Sequence, residues 1–290
     1  MTTTTSVSTI SQMTLVSPQS VHPFEGFPSL IHELGQENGT PYLLCNEERQ
    51  DASLNQLLHS VRISDPQAVH LGFSVWFNLD LIAQTKPSRA IICDIDPYVI
   101  KLYAAFGEAF KRCDSALDFA LEMNRYIIGK SFMHYDFKQE LVRKGSWLSS
   151  DKTYDHVRQM YLQGRINFGY LNLADREGKF QAISQWLRQK GLYIQTLYIS
   201  NIFVWLKKTN LQTLSQGSAN IHELLDHRTQ TIHAFSPEGN EKNSLVQEVV
   251  GGLLANNIAN TIWNLNYKPE VKVAFDRRMP PPRFRLDEDE

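Results

Sequence analysis

The chain predicts an α/β domain built on a doubly wound, mainly parallel sheet. Two short stretches, 68–73 and 89–94, read as buried strands, and a turn and a helix lie between them. The same alternation continues downstream, with no internal repeat and no linker to break it into separate units. Strands separated by helices of roughly 10–15 residues imply βαβ units, whose sheets are covered on both faces.

The elements follow in order. A segment of unclear type around Leu43 and Leu44 precedes a helix over 53–62, where Leu54, Leu57, Leu58 and Val61 recur at helical spacing. The strand 68–73 leads into a helix over 75–84, and Pro87 separates that helix from the strand 89–94. Pro97 suits a first helical turn and starts a helix running through Tyr103 and Phe106 to about 110. A helix over 114–126 has Asp114 or Ser115 as its cap. Residues 129–150 read as irregular or as an inserted lid, and 151–163 as helix, so a helical insertion occupies about 111–160. A strand over 167–173 precedes an amphipathic helix over 177–190 (Phe180, Ile183, Trp186, Leu187), which Gly191 ends. A strand over 192–199 then meets a short helix from Ile202. Later strands are expected at 229–235 and 270–275, and 245–263 reads as helical or mixed. Right-handed crossovers place the strand ends after Phe73, Asp94, Leu173 and Ile199 on one edge, where a ligand would sit.

Composition narrows the partners. A formal net charge of -2 over 290 residues, with a pI near 6.5, argues against nucleic acid or an anionic membrane as the main partner. No apolar run approaches the roughly 18 residues of a membrane span. Cys45, Cys93 and Cys113 are widely spaced and form no disulfide framework, so a reducing, cytoplasmic setting is expected; delivery into a host cell stays open. The start lacks the charged and apolar regions of a secretory signal. The expected division is a Ser/Thr-rich flexible lead-in over 1–22, one α/β domain over 23–278, and a proline-led acidic tail over 279–290.

The candidate site lies at the strand ends. Asp94 closes the second strand, where a carboxylate can accept hydrogen bonds from both hydroxyls of a ribose; Asp96 is better placed to cap the helix at Pro97. Gly72 and Ser74 form the first turn, which lacks the glycines a pyrophosphate needs. Asn78 and Asp80 follow in the next helix, with an exposed helix face as the plainer reading. Asn172 and Asp175 close the third strand, where one could meet an adenine edge and Asp175 could equally cap the next helix. Ser200 and Asn201 close the fourth, facing a substrate or capping the helix at Ile202. The nine histidines make no metal pattern, and neither Gly-x-Ser-x-Gly nor a P-loop occurs.

These blocks resemble, in order, a bacterial family of uncharacterised proteins with a class I S-adenosylmethionine-dependent methyltransferase-like fold. His70-Leu-Gly-Phe-Ser-Val-Trp-Phe-Asn78 is similar to that family's first-strand block, which carries two glycines, Pro-Glu-Gln and Asn-Phe. Arg89-Ala-Ile-Ile-Cys-Asp94, the stretch from Ser146-Trp-Leu-Ser-Ser150 to Leu173-Ala-Asp175, and Leu197-Tyr-Ile-Ser-Asn201 resemble the blocks that follow. The likeness covers roughly residues 66–206. It implies a Rossmann-like sheet of the class I methyltransferase type. Gly72, Ser74, Asn78, Asp94 and Asn172 would hold S-adenosylmethionine, and Asn201 would face the methyl acceptor. Departures fall at the ligand edge: the second glycine is Ser74, Pro-Glu-Gln is Val75-Trp76-Phe77, an acid is Asn172, and a glutamate is Phe203.

Three functions compete. The first is an S-adenosylmethionine-binding, methyltransferase-like protein, whose chemistry needs alignment more than an acid–base pair. The second is a catalytically inactive binding or effector module with a protein partner, favoured by the bulky turn. The third, a nicotinamide-dependent reductase, is disfavoured because Gly-x-Gly-x-x-Gly is absent. One ring of Trp76 and Phe77 is expected in the core and the other against the cofactor site.

Overall fold

The computed structural model describes residues 22–30, 47–74, 76–128, 136–236, 245–259 and 262. The described residues form one seven-stranded sheet. Its strands are β1 (Glu47–Glu48), β2 (Ala68–Phe73), β3 (Arg89–Asp94), β4 (Ile166–Tyr170), β5 (Tyr193–Ser200), β6 (Gln230–Phe235) and β7 (Leu245–Gly251). The order across the sheet is β1-β7-β6-β5-β2-β3-β4. From β2 to β6 every pairing is parallel; β7 runs antiparallel to β6, and β1 runs parallel to β7. The chain winds outward from β2 through β3 to β4, then returns to lay β5 on the other side of β2. The order therefore reverses between β2 and β5, the switch point at which open, Rossmann-like sheets leave a crevice.

The helices are α1 (Gln50–Ser60), α2 (Trp76–Thr85), α3 (Pro97–Arg112), α4 (Ala116–Ile127), α5 (Lys138–Val142), α6 (Asp151–Leu162), α7 (Lys179–Gln189), α8 (Ile202–Thr209) and α9 (Leu211–His222), with a 3-10 helix at Gly252–Asn257. Local chemistry fixes several ends. Asp96, Ser115, Ser150 and Asn210 each accept a backbone N–H of the first turn of α3, α4, α6 and α9. Gly191 takes the left-handed backbone (φ 63°) that ends α7.

All of β2 is buried, because helices cover both faces of the sheet. One layer is aromatic: Trp76, Phe106, Phe110, Phe119, Phe137, Trp147 and Tyr154 join α2, α3, α4, α6 and the insertion. The other gathers Phe180, Ile183 and Trp186 of α7 with Phe203, Leu214 and Ile221 of α8 and α9. Residues 22–30 bind the far edge. The Tyr170 N–H donates to the Leu30 carbonyl (2.8 Å), Leu30 fills the space beside Gly169, and Phe24 and Phe27 pack on Trp186.

Several expectations are corrected. The described part of 129–150 is no lid: Phe137 and Trp147 are fully buried in the aromatic layer. Residues 245–251 form a strand, whose Leu245, Gln247 and Val249 point inward in alternation. The third parallel strand ends at Tyr170, so 171–173 lie beyond the ladder. Helix α9 was not expected. The lead-in up to residue 21, the segment at Leu43 and Leu44, the strand at 270–275 and the acidic tail lie outside the described residues.

Candidate functional site

The candidate site is the carboxyl edge of the sheet around the β2–β5 switch point. Gly72 lies in β2 directly beside Asn78, in the first turn of α2. A Cβ on Gly72 would overlap Asn78 Oδ1 and lie 2.6 Å from its Cγ and 2.9 Å from His70 Nε2. The space that glycine leaves is thus filled by a side-chain amide. Asn78 Nδ2 donates to the Phe73 carbonyl (2.9 Å) and the Ser74 carbonyl (3.0 Å), so Oδ1 must accept, and it does so from His70 Nε2 (3.0 Å). His70 Nδ1 then accepts from the Thr196 hydroxyl of β5 (2.6 Å). Burial holds the imidazole neutral, lowering its pKa to about 4 against a smaller opposing effect of the Asn78 bond.

Ser74 completes a closed turn. Its backbone is left-handed (φ 70°), a conformation that favours glycine. Its N–H donates to the Cys93 carbonyl (3.0 Å), and its carbonyl accepts the Tyr103 hydroxyl (2.6 Å) as well as Asn78. The Ser74 N–H and the carbonyls of Phe73 and Ser74 are therefore spent on the turn's own framework. Asp94, at the end of β3, accepts the Asp96 N–H on Oδ1 (2.8 Å). Burial raises its pKa to about 6, the Asp96 charge adds to this, and the backbone N–H groups of Asp96, Ile95 and Ser74 oppose it. Asp96 itself caps α3 by accepting the Tyr98 N–H (2.8 Å).

On the β4 side, Asn172 turns the chain by accepting the Ala174 N–H (2.9 Å), and Asp175 accepts the Glu177 N–H and the N–H of Lys179, the first residue of α7. On the β5 side, Ser200 is also left-handed (φ 50°) and donates its hydroxyl to Glu47. Tyr198 Oη (3.0 Å) and Gln247 Nε2 (2.7 Å) donate to the same carboxylate, so Glu47 knits β1 to β5 and β7. Asn201 stands at the start of α8, where its side chain makes no cap hydrogen bond.

The matched family model becomes meaningful against this frame. It covers residues 42–126 and 114–248, reaching from β1 into β7. The chain belongs to the domain of unknown function DUF7790. No curated protein matches it. In this DUF7790 chain the structure joins Gly72, Ser74, Asn78 and Asp94 around one turn, and sets Asn172 and Asn201 at the ends of the strands on either side.

Two expectations fail here. Asn78 and Asp80 are fully buried and form no exposed helix face. Asp80 accepts Arg143 Nη2 (2.6 Å) and the Trp147 N–H (2.8 Å), while Glu140 takes Arg143 Nε (2.8 Å) and the Ser146 hydroxyl (2.8 Å). Burial raises the Asp80 pKa to about 7, against the pull of Arg143. Trp76 and Phe77 both enter the core, and neither ring lies in the turn: Trp76 packs on Phe106, Phe137 and Trp147, and Phe77 packs on Tyr198. It is Asn78 that fills the turn. His70, Thr196, Tyr103 and Glu47 were missed. A histidine inside an otherwise apolar strand was the one available signal. A cleft of about 490 Å3 opens elsewhere, between α9 and the 3-10 helix. Among the described residues no three His, Cys, Asp or Glu gather as a metal site, and no helix is long and apolar enough to cross a membrane.

Proposed function

We propose that this protein is a catalytically inactive binding module on a methyltransferase-like fold. One observation carries the reading: the turn after β2 is closed by the Asn78 amide, which fills the space beside Gly72 and bonds the two carbonyls of the turn. A cofactor needs that space for close backbone approach, and it needs turn N–H groups that are unspent. Here the Ser74 N–H is already paired with Cys93. The module's ligand is then a protein partner.

Binding of S-adenosylmethionine is the second reading. It is favoured by Asp94, a partly buried residue beside the switch point, and by the uncommitted side-chain amide nitrogen of Asn201. Asp94 would hold the ribose and Asn201 would face the methyl acceptor. The test is a thermal-shift titration with S-adenosylmethionine, S-adenosylhomocysteine and NAD. A ligand at 100 times its dissociation constant stabilises by about 2.7 kcal/mol, a shift of several degrees. The proposal expects no shift with any of the three. A saturable shift with either adenosyl compound overturns it, and its loss in Asp94→Ala would assign the ribose contact.

A further inference from the structure

The face of the sheet opposite α2 carries a groove. Helix α9 and the 3-10 helix lie on that face, where Leu214, Ile221 and Ala255 join the layer of Phe180 and Trp186. Leu211, Leu214, Ser215, Ser218, Ala219 and His222 line the groove from α9. Steps of three and four residues make these one stripe of the helix, about 16 Å long at 1.5 Å per residue. Ser215, Ser218 and Ala219 keep its floor low, and Leu211 and His222 close its two ends. Asn256 and Ala259 form the facing wall.

A knob stands beside this hole. Side chains three residues apart eclipse in a 3-10 helix, so Leu253 shares the groove side with Asn256, and Leu254 follows it. Leu253 and Leu254 are 58% and 65% exposed, and Leu211 at the groove's end is 53% exposed. A lone exposed leucine is ordinary, whereas adjacent ones on the rim of an apolar groove mark an interaction surface. The groove lining and the two leucines include no Asp, Glu, Lys or Arg. A charged segment therefore finds no counter-charge there, while a second copy of the same surface brings no like charges together.

We propose that the groove and Leu253–Leu254 form a homodimer interface, in which the two leucines of each copy enter the groove of the other. A knob and a hole side by side on one surface are self-complementary. A two-fold axis passing between them makes both contacts at once and leaves no open end for further copies. Three leucines and one 16 Å stripe cover less than the roughly 800 Å² per partner of a stable interface, so a reversible dimer of micromolar strength is expected. The surface is separate from the turn after β2, so it stands or falls independently of what that turn binds.

The experiment is sedimentation velocity and light scattering on the full chain over about 1–200 μM. A monomer–dimer equilibrium is expected, with a melting temperature that rises with concentration. Leu253→Asp charges the knob and Ala219→Arg fills the groove floor; each should weaken dimerisation at least tenfold. Both positions are exposed, so both variants should melt with the parent at the dilute end of the series. Leu117→Asp, at a leucine of α4 that is 51% exposed, should leave the equilibrium unchanged. A chain that stays monomeric throughout overturns the proposal, as does a dimer that survives both substitutions or one that Leu117→Asp weakens equally.

Discussion

Gly72→Ala should destabilise this protein through Asn78 alone. The added Cβ overlaps Asn78 Oδ1, so the amide must leave its place. Its three hydrogen bonds, to the Phe73 carbonyl, the Ser74 carbonyl and His70 Nε2, are each worth about 1 kcal/mol, and stranding the buried imidazole N–H costs about 1–3 kcal/mol more. The lower unfolded-state entropy of alanine returns about 0.4–1 kcal/mol. The net expectation is a loss of roughly 3–5 kcal/mol. Asn78→Ala loses the same bonds without the overlap, so it should cost a similar amount. In that background Gly72→Ala meets only the His70 ring edge, at 2.9 Å, which can shift by a few tenths of an ångström.

The double variant should therefore be about as stable as Asn78→Ala, a strongly non-additive cycle whose coupling equals the cost of Gly72→Ala alone, roughly 3–5 kcal/mol. Urea denaturation read by circular dichroism gives all four free energies. Additivity within about 0.5 kcal/mol, or a cost of Gly72→Ala below about 1 kcal/mol, would refute the idea that the glycine houses an amide. An open crevice predicts that second outcome.

Three further outcomes follow from the same geometry. Ser74→Gly relieves a left-handed serine and should raise stability by up to about 1 kcal/mol, the gain limited by the extra unfolded-state entropy of glycine; a clear loss would mean that the serine side chain holds the turn. Arg143→Met takes the guanidinium away from buried Asp80 and Glu140 and should cost about 3–5 kcal/mol at pH 8, falling on acidification as Asp80 takes a proton; a loss independent of pH would refute the burial of that charge. In the pH dependence of the parent, His70 and Asp80 oppose each other. The lowered His70 pKa makes the folded state bind fewer protons than the unfolded chain, so stability falls as pH drops from 6.5 towards 4, whereas the raised Asp80 pKa makes stability rise as pH drops from about 7 towards 4, each by on the order of 1 kcal/mol per unit. His70→Gln should leave the Asp80 slope exposed, so that this variant gains stability between pH 6.5 and 4.5 in urea titrations; an unchanged slope would sink the argument.

The parallel strands were legible because a sheet covered on both faces writes β2 and the interior of β3 as largely apolar runs, and β5 as an apolar strand interrupted by Gln195 and Thr196. What misled was polarity in places that solvent does not reach. In α2, Trp76 through Ala83 are all buried, since the helix lies between sheet and insertion; Asn78 and Asp80 then look like a solvent face and are the reverse. Helix α9 hid for a related reason. It turns Gly217 and Asn220 inward, with Gly217 set against Leu206 of α8 and Asn220 bonding the carbonyls of Leu173 and Asp175, so its buried stripe has no apolar period. At the site, Asp94 was visible as an acid closing an apolar strand. The Glu47 contact with Ser200 was invisible because it joins residues 153 apart.

The turn after β2 shows why shape and emptiness have to be separated when such a site is read. A glycine-rich turn gives a ligand two things: a left-handed backbone and the absence of side chains. Ser74 retains the first, since its φ of 70° is the geometry a glycine would adopt. Gly72 retains the second in name, but the space beside it belongs to Asn78. The amide also holds the turn in place of a ligand, because it bonds the two carbonyls of the turn and, through His70, reaches Thr196 on the far side of the switch point. Opening the crevice would strand a buried imidazole and two carbonyls together, a cost of several kcal/mol that binding would have to exceed before any affinity registered. A framework stabilised in its closed form presents its surface to a partner without needing a small molecule to organise it, and that makes a binding module the better reading of this edge.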